Sequence, residues 1–315
     1  MTRILITGAC GQLGTELVKD LSSRYGEANI LSTDIHQPSK TDHMIGSFEV
    51  LDVLDRSSMQ ALISKFKVTE IYHLAAVLSA KAENMPLESW SINMQGLLNV
   101  LEAARIQGDV KVYWPSSIGV FGPSSPKKNT PQHCIKDPSS VYGISKLAGE
   151  RWCEYYYTRY QVDVRSLRYP GIIGYTSPPG GGTTDYAVNI FYKALQDGQF
   201  ECFLKEATYL PMMYIEDAIR ATIELMAVPA TDISIRTSYN LSAMSFCPRE
   251  LAEAIRTRIP DFKITYNPDF RQEIADSWPA SIDDQVARHD WNWEHHFDIH
   301  QLVKTMLDNL AVQLT

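Results

Sequence analysis

The chain has 315 residues, 44% of them hydrophobic, with a formal charge of -8 at pH 7 and a pI near 5.5. That size suits one large α/β domain, or a large domain with a smaller lobe. The acidic balance argues against nucleic-acid and anionic-membrane partners, which call for basic patches, and no apolar run approaches the roughly 18 residues of a membrane span.

The chain opens on a β-rich run over 2–7 where a signal peptide would need a cleavable apolar stretch, so the expected location is the cytoplasm. Gly8-Ala9-Cys10-Gly11-Gln12-Leu13-Gly14 follows at once, and Leu17, Val18 and Leu21 give 15–24 a helical spacing. Glycines three apart let the backbone turn tightly and let a pyrophosphate approach the helix N-terminus. A second strand pattern over 30–34 ends in Asp34, about 20 residues beyond Gly14. An acid there accepts hydrogen bonds from a ribose 2′-hydroxyl and repels a 2′-phosphate, which favours NAD over NADP. The alternative is a nucleotide-free turn with Asp34 as a cap.

Strand patterns over 48–51, 70–74, 110–114 and 162–168 alternate with helical ones over 57–65, 87–107 and 142–160. Strands separated by helices imply right-handed crossovers and a doubly wound parallel sheet whose ligands bind beyond the carboxyl ends of the strands. Those ends carry Thr7 and Gly8, Asp34, Asp52 and Val53, and Leu74, Ala75 and Ala76. Asp52 could accept from an adenine amino group, and the two alanines would admit a cofactor closely; each could equally be a cap or a packing residue. Further strand ends carry Ser116 and Ser117, then Tyr169, Pro170 and Gly171. Of these Tyr169 and Pro170, with Gln12, Leu13 and Asn93, are candidate cofactor contacts.

The helix over 142–160 begins Tyr142-Gly143-Ile144-Ser145-Lys146. Four-residue spacing puts the phenol and the ammonium on one face. An ammonium held beside a phenol, whose reference pKa is about 10, favours the phenolate, and the pair can then exchange a proton with an alcohol. A packed tyrosine and a solvated lysine would share the spacing.

Beyond Gly171 the pattern loosens: a glycine-rich loop over 178–182, helices over 186–195, 216–226, 248–258 and 299–310, and strands over 200–204, 210–215 and 236–241. The expected division is a dinucleotide-binding domain over 1–172 and a substrate-binding lobe over 173–315, interleaved because later segments return to the first unit. Cys10, Cys134, Cys153, Cys202 and Cys247 have neither disulfide nor zinc spacing, and His296 and His300 lack the partners of a metal motif. No metal is expected.

The motifs TGACGQLG, HLAA, SSIGVFG, YGISK and LRYPG together resemble the extended short-chain dehydrogenase/reductase superfamily, with its nucleotide-sugar epimerases and dehydratases. PSSIGVFGP, RYPGII and above all the GGGTTDYA block over 180–187 are similar to its epimerase-like L-threonine 3-dehydrogenases. The resemblance implies a Rossmann-type domain with a smaller C-terminal α/β lobe, a homodimer paired through the helices over 87–107 and 139–160, and NAD-dependent oxidation of L-threonine. It also implies roles. Tyr142 would be the base, Lys146 would hold the nicotinamide ribose, and Ser117, with Ser116 as fallback, would bond the reacting oxygen. Ser79, Thr183, Thr184 and Trp278 would meet the substrate, while Pro170 and Ile172 would line the nicotinamide. Ile118 and Gly119 stand where a dehydratase needs an acid pair, which disfavours elimination. Nucleotide-sugar 4-epimerisation and a catalytically silent NAD binder remain the alternatives.

Overall fold

A computed structural model describes residues 2–38, 46–178 and 180–314; of the expected 178–182 loop, Pro179 lies outside the described residues. The first strands are β1 (Ile4–Thr7), β2 (Ile30–Asp34), β3 (Ser47–Val50), β4 (Glu70–His73), β5 (Lys111–Tyr113), β6 (Ser116–Ser117), β7 (Val164–Arg165) and β8 (Leu167–Tyr169). Six of them form one parallel sheet in the order β3-β2-β1-β4-β5-β7. This is the Rossmann-type doubly wound arrangement, and the strand order reverses between β1 and β4, where a ligand crevice opens.

Period-two alternation buries both faces of that sheet. Ile4 and Ile6 join one core with Leu17 and Leu21 of the helix Gln12–Tyr25. Leu5 points the other way, into a core with Met59, Ile63 and Leu97. Each such burial contributes about 1.5–3 kcal/mol.

The later strands are β9 (Gly171–Ile173), β10 (Gln199–Cys202), β11 (Leu210–Tyr214), β12 (Tyr239–Asn240), β13 (Met244–Phe246) and β14 (Lys263–Tyr266). They pair as β12-β8-β6, β13-β11-β9 and β10-β14. Thus β12 returns to the strand that carries Arg168, and β6 and β9 hold Ser117 and Ile172 at one end of the parallel sheet.

Three expected elements differ. The helix over 87–107 is broken into Pro86–Trp90, a wide π turn Ser91–Gln95 and Gly96–Gln107. The wide turn turns Asn93 inward, where its amide bonds both backbone groups of Val77. The strand over 162–168 divides at Ser166: the Arg165 guanidinium donates to the Leu225 and Val228 carbonyls at 2.6 Å each, while Arg168 turns toward Glu150. The strand over 236–241 shrinks to β12 because the Arg236 guanidinium is drawn to Asp163 and the Ala230 carbonyl. Among the described residues no helix is long and apolar enough to cross a membrane.

Candidate active site

The glycine turn fits a close backbone approach. Gly8 has φ +71°, and a Cβ there would lie 2.6 Å from the Ala75 nitrogen; one at Gly14 would lie 2.3 Å from the Gly8 carbonyl oxygen. Only glycine fits either place. The helix Gln12–Tyr25 starts from Gly11 with no side-chain cap, so its first N–H groups are free to meet an anion. At the end of β2 the Asp34 carboxylate accepts from the Cys10 N–H (3.1 Å) and the His36 N–H (3.3 Å). Each oxygen keeps a further lone pair for a ribose hydroxyl. These residues fit a dinucleotide.

From this turn a cavity of about 250 Å³ runs to the C-terminal half of the chain. Its glycine end is formed by Gly8, Gly11, Gln12, Leu13 and Gly14, with Leu74 and Ala76 from the segment after β4. Ser116, Ser117, Tyr142, Lys146, Tyr169, Pro170 and Ile172 make the middle. Ser79, Thr183, Thr184 and Trp278 close the far end. The Ser79 and Thr183 hydroxyls stand 3.5 Å apart.

Other candidates lie outside the lining. Thr7 shares a 2.7 Å hydrogen bond with His73 Nδ1, Val53 is buried, and Asp52 accepts from the Leu54 N–H. Ala75 backs the Gly8 turn. Asn93 spends its amide on Val77 and Ser145, holding the cavity wall from behind. Leu78, Pro115, Ile118, Gly171, Gly182 and Asp185 also line the cavity, though the sequence singled out none of them as a site residue. Asp185 was the most readable, because an acid just after Gly180-Gly181-Gly182 is placed to cap them: it accepts from the N–H groups of Gly181 (2.7 Å) and Gly182 (2.8 Å).

The two serines separate cleanly. The Ser116 hydroxyl donates to Glu150 Oε1 at 2.7 Å and is buried. Ser117 is half-buried; its hydroxyl accepts from the Gly119 N–H at 3.1 Å and lies beside Tyr142, whose phenol it makes more acidic.

The expected depression of the Tyr142 pKa is not seen in the chain by itself. Burial pushes the phenol up to about 12, and the Ser117 hydrogen bond draws it only part of the way back. Lys146 shares the helix face, but its ammonium donates to the Pro115 carbonyl at 2.5 Å and lies 4.5 Å over the Trp114 ring. Burial pushes Lys146 down to about 7. Desolvation outweighs the pairing that spacing alone suggested.

The sequence profile of the NAD dependent epimerase/dehydratase family matches residues 4–241. The chain belongs to that family. Within its breadth, the chain is 48% identical to the mitochondrial L-threonine 3-dehydrogenase of Bos taurus over 307 residues, 97% of this chain and 82% of that protein. A partial-consensus L-threonine 3-dehydrogenase superposes with a TM-score of 0.97 at 51% identity, over 98% of this chain and 99% of the other. A GalE-like L-threonine dehydrogenase from Cupriavidus necator, in its holo form, gives a TM-score of 0.95 at 50% identity, again over 98% and 99%.

Proposed function

We propose that the protein is an NAD-dependent L-threonine 3-dehydrogenase, oxidising the C3 hydroxyl to give L-2-amino-3-ketobutyrate. The carrying observation is a single cavity lined by Tyr142 and Ser117 together with Thr183, Thr184 and Trp278. The relatives named above support the same activity.

Gly8, Gly11 and Gly14, the uncapped helix start and Asp34 would hold NAD, with Pro170 and Ile172 beside the nicotinamide. When bound, this cofactor supplies the hydride acceptor. Tyr142 takes the proton from the C3 hydroxyl at its phenolic oxygen, and Ser117 holds that same oxygen in line. Lys146, fixed by the Pro115 carbonyl, positions the ribose. Ser79 and Thr183 offer hydroxyls to the amino-acid end. A pocket shaped for the threonine methyl discriminates against serine by about 1–3 kcal/mol.

The initial rate of NADH formation with L-threonine, set against UDP-glucose to UDP-galactose conversion, tests the proposal. NADH from millimolar L-threonine, with L-serine, D-threonine and L-allo-threonine poorer, is expected. No NADH together with sugar interconversion would establish the epimerase instead, and NAD binding without either reaction would mark a silent binder.

A further inference from the structure

We propose that Lys127 is a positioning residue that sets the far wall of the substrate pocket by clamping Trp278 to the strap that leaves Ser117. The inference rests on the dehydrogenase reading and adds a specificity determinant outside the cavity lining.

Lys127 lies in the segment that follows Ile118–Val120, ten residues along the chain from Ser117 and far in sequence from Trp278. Its ammonium donates to the Ser277 carbonyl at 2.7 Å and the Asp276 carbonyl at 3.1 Å, and reaches the Trp278 and Gly122 carbonyls at 3.4 Å each. Asp276 and Ser277 end the helix Arg271–Ser277, whose last carbonyls have no partner within the helix. A cation is the natural cap there, because it meets both the free lone pairs and the negative end of the peptide dipoles.

Backbone bonds complete the joint. Ala280 N–H donates to the Lys127 carbonyl at 2.7 Å, Asn129 N–H to the Ser281 hydroxyl at 2.8 Å, and Thr130 N–H to the Ser281 carbonyl at 3.0 Å. The strap itself has no slack at Gly122, where a Cβ would lie 2.0 Å from the Asp137 carbonyl oxygen. Trp278 therefore sits between the ammonium-capped helix end and the Ala280 bond, 6% exposed, with its side chain on the cavity shared by Ser117, Tyr142, Thr183 and Thr184. Burial pulls the Lys127 pKa down while Asp137 and Asp276 pull it up.

A lysine that served the fold alone would affect stability without moving one wall of one pocket. The clamp makes a narrower demand. With Lys127→Met, which keeps the stem and removes the donors, KM for L-threonine should rise about tenfold or more. The turnover number should hold within a few fold, the NAD dissociation constant within twofold, and Lys127→Arg should restore most of the loss. In a Trp278→Ala background, where the wall is already gone, Lys127→Met should add less than a twofold effect. An unchanged KM, a parallel loss of NAD affinity, or an equal effect in the Trp278→Ala background would overturn the proposal. Amide exchange at 276–281 reads the clamp without any substrate: it should accelerate in Lys127→Met while amides of the Val141–Tyr160 helix do not, and unchanged exchange would also overturn it. Wild-type protein that makes no NADH from L-threonine would instead remove the dehydrogenase reading, leaving the exchange measurement to decide the clamp.

Discussion

Tyr142 and Lys146 share one helix face, yet the Lys146 ammonium stands 5.5 Å from the Tyr142 ring centre and gives its short hydrogen bond to Pro115. Their pKa values are displaced toward the neutral forms, the phenol up to about 12 and the amine down to about 7. Proton removal from the substrate needs the phenolate, so ionisation of Tyr142 limits the oxidative direction at neutral pH. The rate is expected to climb from about pH 7 to about pH 10 as that form is populated. Tyr142→Phe should lose about 10² to 10⁴ in turnover and flatten the profile, while the NAD dissociation constant stays within a few fold. A variant with most of its activity would remove Tyr142 from the reaction.

Keeping Lys146 in this position should weaken the fold. Its folded pKa lies below the unfolded value of 10.5, so the unfolded chain binds more protons between about 7 and 10.5 and stability rises with pH across that window. The lysine's relative contribution is thus greatest above 10.5 and is lost as pH falls toward 7. Lys146→Met should be more stable than wild type at pH 7, by about 2 kcal/mol after its lost hydrogen bond is counted. That gain should fade toward pH 10.5. Urea midpoints at the two pH values check the sign, and a variant less stable at both would contradict it.

The sheet was legible because its strands and helices carry clean periods, as Ile4, Leu5 and Ile6 show by dividing between two cores. The cofactor turn was legible because glycine at 8 and 14 has a steric cause. What the sequence hid is long-range: that Ser116 serves a buried Glu150 while Ser117 faces Tyr142, and that Lys146 answers to Pro115. The helices Arg271–Ser277 and Gln285–Trp291 escaped notice because each is too short to display a period. They hold their shape through distant partners, such as Lys127 at Ser277 and the Ser242 N–H at Asp284.

For the cofactor, NAD should bind at least about tenfold tighter than NADP, because a 2′-phosphate set against Asp34 loses about 1.4 kcal/mol or more. Asp34→Ala should narrow the gap and loosen the turn as well, since it deletes the acceptor of the Cys10 N–H. Titration of both cofactors against both proteins measures the ratio. Equal constants in the wild type would count against the role given to Asp34.

For assembly, Trp152, Tyr155 and Ile144 stand 40–48% exposed on the Val141–Tyr160 helix, and Leu87 and Trp90 are exposed on the neighbouring Pro86–Trp90 helix. So much apolar surface on two adjacent helices suits a twofold contact between copies. A dimer mass by light scattering at micromolar concentration is expected, with Trp152→Glu shifting it toward monomer. A monomeric wild type would exclude the arrangement.

The buried Glu150–Arg168 pair should be needed as a pair. Both side chains are 1% exposed; Arg168 donates from Nε and Nη2 to the two carboxylate oxygens at 2.7 Å each. The remaining capacity is used, since Ser116 donates to Glu150 and Arg168 Nη1 donates to Asn240 Oδ1 at 2.9 Å and the Gln132 carbonyl at 3.1 Å. Two charges so placed have lost most of their hydration, and their attraction roughly offsets that loss. Removing one alone leaves the other uncompensated. Glu150→Gln should therefore destabilise by about 3–5 kcal/mol, whereas Glu150→Leu with Arg168→Met should recover most of it. Catalysis should follow a different course. Glu150→Gln keeps a carbonyl oxygen that can accept from Ser116, but in the double variant Ser116 loses its acceptor, and β6, which it shares with Ser117, loses its tether to the Tyr142 helix. The turnover number should stay depressed in the double variant even where the urea midpoint returns. If turnover recovered with stability, the network would be serving the fold alone.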